Sequence, residues 1–271
     1  MGIPAHEREI AEKSVIVTTV HYNLDREGDK IRQAIALRFL QNASERNYRT
    51  VVVYGTVSDE FRKQAERLDT ELVVDCGKGM GPSRRQGFAR AGEYESAEVI
   101  NWSEPEKDDY VRFISGVSEP IIEGKYGIVV PRRSESSKAT YPWEQIELES
   151  IKNRAVRRSI KYYTGIDADL DITFGVRAWH HDHNNFFTGY DGRFGDTYDS
   201  INAPLINALA KGVRVGSITV DFEYPEDQRR SECIEGTNDL TPEMYMKRFK
   251  QVGETPVQII KFLQSYKPNV F

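Results

Sequence analysis

The chain has few cysteines, no long apolar segment and no excess of positive charge. Only two of its 271 residues are cysteines, Cys76 and Cys233, and their separation matches no metal-binding spacing. We therefore interpret them as free thiols of a reducing compartment. No window is apolar enough to span a bilayer, and the N-terminal residues lack a secretory signal pattern. With a formal net charge of −5, the chain has no general basic field for nucleic acid. These absences predict a cytoplasmic protein with no transmembrane segment and no nucleic-acid partner.

The first 110 residues alternate between short β-branched runs and amphipathic helices. Apolar runs at 15–20, 50–55, 71–75 and 98–102 have the composition of buried strands. The segments between these runs carry helix signals, such as the N-cap Ser58 followed by two acids. This alternation predicts an α/β protein with a mainly parallel sheet flanked by helices.

The rest of the chain mixes strands and helices. We predict strands at 126–131 and 213–222, helices at 143–163 and 200–211, and two C-terminal helices opened by the Thr-Pro pairs at Thr241 and Thr255. No repeat or linker interrupts the chain, so we expect a single domain in three parts. These are a nucleotide-binding half at about 14–125, an acceptor-side half at about 126–235 and a helical extension at 236–271.

Polar residues follow three of the first four predicted strands. Residues 21–23 follow the first strand, a glycine-rich turn at 77–81 follows the third, and the fourth runs into an acidic cluster. Parallel strands present their carboxyl ends at one edge, where ligands bind in such sheets. Glu104 and Glu106, two residues apart across a proline, can direct carboxylate oxygens at one Mg²⁺ or Mn²⁺ ion. The alternative is an acidic loop that caps the next helix.

Two other polar groups are candidates for ligand contact. His181 and His183 have a spacing that suits Zn²⁺ or Mn²⁺ ligation, and the alternative is a polar loop at the rim of the site. Arg132 and Arg133 follow a predicted strand, and we interpret them as a solvated pair, with binding of the acceptor or a phosphate as the alternative. The basic face of the helix at 152–161 is also interpreted as solvated, with a docking patch for an anionic acceptor as the alternative.

The order of these features resembles a GT-A-type glycosyltransferase of the family-2-like kind. Residues 77–87 resemble the part of those enzymes that precedes their Asp-x-Asp metal motif, and 104–106 carry Glu-Pro-Glu at the place of that motif. Residues 174–179 resemble the acceptor-side segment with its Gly-x-Arg loop, and 196–199 resemble the acidic segment that holds the catalytic base of inverting members. The resemblance covers about residues 14–230.

The resemblance implies a GT-A fold and a metal-dependent glycosyltransferase, with a hexose as the expected sugar. The donor would be a UDP- or GDP-linked sugar, the acceptor a hydroxyl group and the cofactor Mn²⁺ or Mg²⁺. The implied metal ligands are Glu104 and Glu106. The histidine ligand of that family comes from a segment that corresponds to 221–230, which has no histidine here, so His181 or His183 would have to take its place. The implied catalytic base is Asp199 or Asp196, for which N-capping of the following helix is the alternative.

Further ligand contacts follow from the same resemblance. The candidate donor-binding residues are His21, Tyr22, Asn23, Asp75, Lys78, Gly79, Arg84, Arg85 and Trp102. The candidate contacts to the acceptor or the donor sugar are Gly175, Arg177 and Trp179.

Two other functions remain open at the level of the sequence. A sugar-nucleotide nucleotidyltransferase would share the sheet and the acidic site, but its glycine-rich loop directly after the first strand is missing here. A non-catalytic relative that binds a nucleotide-sugar is favoured by the loss of the usual Asp-x-Asp motif at 104–106. It is disfavoured because the chain still has a cluster of acids at that place and a histidine-rich loop. If neither UDP nor GDP shifts the melting temperature in Mn²⁺, the enzyme prediction loses most of its support.

Overall fold

The computed structural model describes residues 3–265, in which strands and helices alternate. The strands are β1 (Ser14–Val20), β2 (Arg49–Tyr54), β3 (Thr70–Val74), β4 (Val99–Trp102), β5 (Ile128–Val129), β6 (Arg132–Arg133), β7 (Arg177–His180), β8 (Val215–Gly216) and β9 (Thr219–Val220). The helices are α1 (Ala5–Glu12), α2 (Glu27–Glu45), α3 (Asp59–Ala65), α4 (Met80–Ala91), α5 (Ile114–Ile122), α6 (Glu135–Ala139), α7 (Trp143–Thr164), α8 (Asn184–Thr188), α9 (Asp199–Ala210), α10 (Glu226–Glu232) and α11 (Pro242–Ser265). Within residues 3–265, no helix combines the length and the apolar character that crossing a membrane requires.

Seven strands form one sheet in the order β3-β2-β1-β4-β7-β5-β8. The pairs among β1 to β4 are parallel, and Val17 lies opposite both Val51 and Trp102. Strand β7 runs antiparallel to both of its neighbours, while β5 and β8 are parallel. The predicted mainly parallel sheet flanked by helices is confirmed.

Helices cover both faces of the central strands, which explains their continuous β-branched sequences. Ile16 of β1 packs in one core cluster with Phe39 of α2. The next residue, Val17, points to the opposite face and packs in a second cluster with Phe88 of α4. Because both faces are buried, the strands do not alternate between apolar and polar residues.

The predicted strand at 213–222 is divided between two sheets. Strand β8 pairs with β5 at the edge of the large sheet, and β9 pairs with β6 in a separate two-stranded sheet. A Cβ at Gly216 would lie 2.5 Å from the Tyr126 ring, and Ser217 Oγ donates to the Val130 carbonyl at 2.8 Å. The chain therefore changes sheets at a tightly packed Gly-Ser step that an apolar pattern does not indicate.

The two predicted C-terminal helices are one helix, α11. Pro256 lies inside it and removes one backbone donor, which normally ends or kinks a helix. The helix continues because Ile259 and Leu263 beyond the proline are buried in the second core cluster. Burial of these side chains outweighs the lost hydrogen bond, and α11 packs along α7.

Candidate functional site

A cavity of about 590 Å³ opens at the carboxyl ends of β1, β3 and β4. His21 and Tyr22 follow β1, Asp75 follows β3, and Glu104 and Glu106 follow β4. All five residues line the cavity, whose far wall is built by α7 and α11. The polar features at the ends of three different strands thus share one space.

The acidic turn after β4 holds Glu104 as an anion. The backbone N–H of Lys107 donates to the Glu104 carbonyl at 3.1 Å, and the Lys107 ammonium forms an ion pair with the Glu104 carboxylate. Burial acts to raise the pKa of Glu104, but Lys107 and then Arg84 outweigh it and lower the pKa to about 2. Glu104 therefore carries a full negative charge at neutral pH.

Glu106 lies on the other side of the same turn. The Tyr22 hydroxyl donates to its Oε1 at 3.3 Å. Burial raises the pKa of Glu106; Arg32 opposes this shift, and the charge of Glu104 adds to it. Repulsion between the two carboxylates therefore acts in the same direction as burial.

The donor set at this turn fits a divalent ion that arrives with a phosphate ligand. Across residues 3–265, no three His, Cys, Asp or Glu side chains are grouped so that they alone would hold a metal ion. Mg²⁺ is nevertheless commonly bound by one or two carboxylates that are completed by water and substrate phosphates. Glu104 and Glu106 meet that requirement as hard oxygen ligands on one turn.

The glycine-rich turn after β3 borders the cavity with backbone and hydroxyl groups. Asp75 Oδ1 accepts from Ser83 Oγ at 2.6 Å and from the Gly77 N–H at 3.2 Å. Gly77 and Gly79 have φ values of +71° and +106°, which favour glycine. Gly79 is the N-cap of α4, so the positive end of that helix faces the cavity.

Arg84 places a buried positive charge beside the acidic turn. Only 4% of the surface of Arg84 is exposed to solvent, and its guanidinium lies 5.0 Å from the centre of the Trp102 ring. One terminal nitrogen donates to the Thr197 carbonyl at 2.8 Å and to Ser200 Oγ at 3.0 Å. Burial lowers the pKa of Arg84, while the charge of Glu104 acts to raise it. Both Arg84 and Trp102 line the cavity, as the resemblance implied for donor contacts.

Gly175 lies directly against Glu104. Its φ is +87°, and a Cβ at this position would be 2.8 Å from Glu104 Oε1. Arg177 is fully buried behind the cavity wall and donates to Asn202 Oδ1 at 3.1 Å. Burial and then the neighbouring Arg84 lower the pKa of Arg177 to about 9. Gly175 therefore borders the cavity, whereas Arg177 supports its wall from behind.

The two aspartates expected as a catalytic base have structural partners instead. Asp199 is fully buried, accepts from the N–H groups of Thr197 at 2.7 Å and Asp196 at 3.2 Å, and binds the Tyr190 hydroxyl at 2.6 Å. Asp196 forms a two-bonded ion pair with Arg85 at 2.5 and 2.7 Å. Neither aspartate lines the cavity. The geometry favours the alternative, in which these side chains fix the start of α9.

The histidines expected as metal ligands lie at the opposite edge of the sheet. Because β7 is antiparallel to β4, its carboxyl end meets the amino end of β4, far along the strand from Glu104. His181 Nε2 is hydrogen-bonded to the Gly92 carbonyl at 2.9 Å, and His183 follows on the same side. His181 and His183 therefore do not join the acidic turn, and that expectation was wrong because the sequence does not reveal a strand's direction.

Four more candidates lie outside the cavity lining. They are Asn23, Lys78, Arg85 and Trp179. Trp179 is fully buried and stacks on Phe187 with ring centres 3.9 Å apart, so its side chain fills part of the hydrophobic core. Asn23 accepts the backbone N–H of Asp25 at 3.1 Å and shapes the turn after β1.

The sequence did not predict the cationic wall of the cavity. Arg133, which we expected to be solvated, is 3% exposed and paired with Asp171 at 2.9 Å and Glu149 at 2.7 Å. Lys152 faces the cavity and not the solvent. In the part of the chain that the structure describes, seven cationic and four anionic side chains line the cavity. The cations are Arg32, Arg84, Lys107, Arg133, Lys152, Lys247 and Arg248, and the anions are Asp75, Glu104, Glu106 and Glu149.

A signal for one of these cations was present in the sequence. Lys152 lies four residues after Leu148 and four before Val156, both of which are buried. Residues four apart share a helix face, so Lys152 belongs to the buried face of α7 and not to its basic face.

No protein-family model and no curated protein sequence matches the chain. In structure it is similar to glucosyl-3-phosphoglycerate synthase from Mycobacterium tuberculosis. The complex of that enzyme with phosphoglyceric acid is 12% identical, with a TM-score of 0.59 over 98% of this chain and 84% of that one. Its complex with Mn²⁺, UDP and glucosyl-3-phosphoglycerate is 14% identical, with a TM-score of 0.57 over 100% and 88%. A further structure, of a mycobacterial protein, is 15% identical, with a TM-score of 0.57 over 100% and 81%.

These similarities establish the fold. The mainly parallel seven-stranded sheet flanked by helices is that of the GT-A-like nucleotide-sugar transferases. At such low identity the function of this chain must be argued from its own cavity.

Proposed function

We propose that the protein is a metal-dependent glycosyltransferase that moves a hexose from a UDP- or GDP-linked donor to a hydroxyl acceptor. The observation that carries the proposal is the meeting of the acidic turn, the glycine-rich turn and Arg84 in one cavity at the carboxyl ends of the strands. A nucleotide-sugar needs those three elements: a site for a cation, a backbone turn for the nucleotide and a positive charge for the diphosphate.

Glu104 and Glu106 would hold Mn²⁺ or Mg²⁺ together with the donor diphosphate. The bound ion supplies Lewis-acid stabilisation of the leaving diphosphate. Arg84 and Lys107 add fixed positive charge beside the same turn, and the charges of both act to lower the pKa of Glu104. Gly175 leaves the space in front of Glu104 free, since the Cβ of any side chain at this position would clash with the carboxylate.

The nucleotide would lie between the ends of β1 and β3. Asp75, His21 and Tyr22 line that side of the cavity, and the start of α4 directs its positive end toward it. Asp75 already accepts two hydrogen bonds through Oδ1, which leaves its Oδ2 for a donor group of a base or ribose. One of the structurally similar enzymes contains UDP with Mn²⁺, which supports a nucleotide-linked donor in kind.

A screen for donor hydrolysis tests the proposal. The protein is incubated with UDP- and GDP-linked hexoses in Mn²⁺ or Mg²⁺, and released nucleotide diphosphate is measured. We expect release from one donor class, with loss of at least about a hundredfold in the double variant Glu104→Gln/Glu106→Gln. Glu123→Gln, a change of an exposed glutamate outside the cavity, is the matched control.

Other outcomes separate the alternatives. Nucleotide binding without any release indicates a non-catalytic binding protein. Formation of a nucleotide-sugar and pyrophosphate from a nucleoside triphosphate and a sugar phosphate indicates a nucleotidyltransferase. Full activity of the double variant would rule out the acidic turn as the metal site.

A further inference from the structure

Lys152 is a buried cation without a counterion. It lies on α7, is 8% exposed and lines the cavity. Among residues 3–265 its ammonium group has no ion pair and no hydrogen bond, and Nζ lies 5.8 Å from the centre of the Tyr198 ring. Burial of an unpaired ammonium group is unfavourable. Such a group is retained where a ligand supplies the missing charge.

The nearby carboxylates are already engaged by other cations. Glu149 pairs with Arg133 at 2.7 Å and accepts from Gln145 at 2.8 Å. Burial lowers the pKa of Lys152; the charge of Glu149 acts to raise it and that of Arg248 to lower it. Within the described residues, no carboxylate forms an ion pair with the Lys152 ammonium group, because Glu149 is occupied by Arg133.

The facing helix α11 adds more positive charge. Arg248 is bound to Glu232 at 3.2 Å, but Glu232 is shared with Arg32 at 2.8 Å, so one carboxylate serves two guanidinium groups. The buried Nε of Arg248 has no hydrogen-bond partner within the described residues. Lys247, at the mouth of the cavity, forms no ion pair in that same part of the chain.

We propose that the α7–α11 wall, through Lys152 and Arg248, binds an anionic group of the acceptor. The acceptor is then a small hydroxyl compound that carries a phosphate or a carboxylate. This inference rests on the proposed glycosyl transfer, and it adds the acceptor class. The donor diphosphate would have its own charges, from Arg84, Lys107 and the ion that Glu104 and Glu106 would hold.

Three small acceptors test the inference; each offers a CH2OH group, and they differ in whether the rest of the molecule carries a phosphate, a carboxylate or no charge. They are 2-hydroxyethyl phosphate, glycolate and ethylene glycol, each supplied with the donor found in the hydrolysis screen. We expect kcat/KM for at least one anionic acceptor to exceed that for ethylene glycol by about tenfold or more. The two anions distinguish a phosphate site from a carboxylate site. Equal use of all three would overturn the inference.

Substitution of Lys152 tests whether this side chain causes the preference for an anionic acceptor. Lys152→Met keeps the length of the side chain, and we expect it to reduce the preference for the anionic acceptor about tenfold, through KM. Lys152→Arg should restore part of the preference. Lys161→Met is the matched control, because Lys161 lies on the same helix but pairs with Asp167 at the surface. An unchanged preference in Lys152→Met contradicts the proposal.

Binding measurements separate this inference from the proposed function. Calorimetric titration with 2-hydroxyethyl phosphate and with UDP is made on the wild type and on Lys152→Met. We expect the substitution to weaken the binding of 2-hydroxyethyl phosphate more than the binding of UDP. If the binding of UDP is weakened more, Lys152 belongs to the donor site and the inference is overturned. If no nucleotide-sugar is turned over, the proposed function fails, and these titrations still decide whether the wall binds an anion.

Discussion

Single residues show how strongly burial decides the role of a charge in this protein. Arg133 and Arg132 are neighbours in sequence, yet Arg133 is enclosed by two carboxylates while Arg132 pairs at the surface with Asp169. The sequence suggested one role for both. Nothing in a single sequence shows that Asp171, 38 residues further on, is folded against Arg133.

Asp171→Asn should destabilise the protein by about 3–5 kcal/mol, because it leaves the Arg133 charge buried with one partner fewer. Denaturant unfolding followed by circular dichroism measures the change. Asp169→Asn is the matched control, and for this exposed pair we expect less than about 1 kcal/mol. Equal effects of the two substitutions would mean that burial does not amplify the Arg133 pair.

The stability of the protein in acid should depend on Glu232. Burial acts to raise its pKa, but Arg248 and Arg32 outweigh it and lower the pKa from its ordinary value of 4.5 to about 2. A lowered pKa stabilises the folded state fully above pH 4.5, and the contribution is lost as the pH falls toward 2.

Unfolding free energies measured between pH 6 and pH 2.5 test this pH dependence. Glu232→Gln should be less stable than the wild type at pH 6, and the gap should narrow as the pH falls. Glu235→Gln, at an exposed position nearby, should follow the wild type at every pH. A gap that stays constant would argue that Glu232 acts through packing alone.

At the scale of elements, the contact of α4 with the sheet depends on one glycine. A Cβ at Gly87 would lie 2.6 Å from Val17 Cγ1 and 3.1 Å from Val53 Cγ2, on β1 and β2. The helix therefore approaches the strands as closely as its backbone permits. This approach also fixes Arg84, one turn earlier on the same helix, at the wall of the cavity.

Gly87→Ala should destabilise the protein by about 1–3 kcal/mol, because the added methyl group forces the helix away from the sheet. Thermal unfolding provides the measurement. Gly28→Ala in α2 is the control: no atom lies within 4 Å of the added carbon, so we expect a neutral or slightly stabilising effect. A stabilised Gly87→Ala protein would show that the valines move aside without cost.

Elements differ in how well the sequence indicated them. Strands β1 to β4 lie within about two residues of their predicted positions, because runs such as Val15 to Val20 are buried on both faces. The direction of β7 was not predictable, since an apolar pattern is the same when read toward either edge of a sheet. The prediction of two C-terminal helices was wrong for another reason. Pro256 is a local helix-breaking signal, but burial of later residues in α11 outweighs it.

At the scale of the whole molecule, the cavity joins two distant parts of the chain. The proposed donor side is formed by residues 19–107, which follow one another through the alternating strands and helices. Local motifs, including Glu104, Glu106 and the glycine-rich turn, predicted that these residues meet at one edge of the sheet. The cationic wall joins α7 to α11, about a hundred residues apart, and that packing could not be predicted from local patterns.

A donor that binds across this cavity should stabilise the entire fold. At a nucleotide concentration of 100 times Kd, linkage gives about 2.7 kcal/mol, which for a chain of this size raises Tm by about 5–10 °C. Thermal unfolding with UDP or GDP in Mn²⁺ measures the shift, and removal of the metal by a chelator should abolish most of it. Absence of a shift with either nucleotide would remove the main support for a nucleotide-sugar donor.

The two cysteines give this molecule a site for selective chemical labelling. Cys76 is exposed and Cys233 is buried. The N–H of Cys76 donates to Gln86 Oε1 at 3.0 Å, and its neighbours Asp75 and Gly77 both line the cavity. A thiol-reactive fluorophore would therefore attach at the nucleotide side of the rim in the native sequence, and its emission would report occupancy of the cavity in real time.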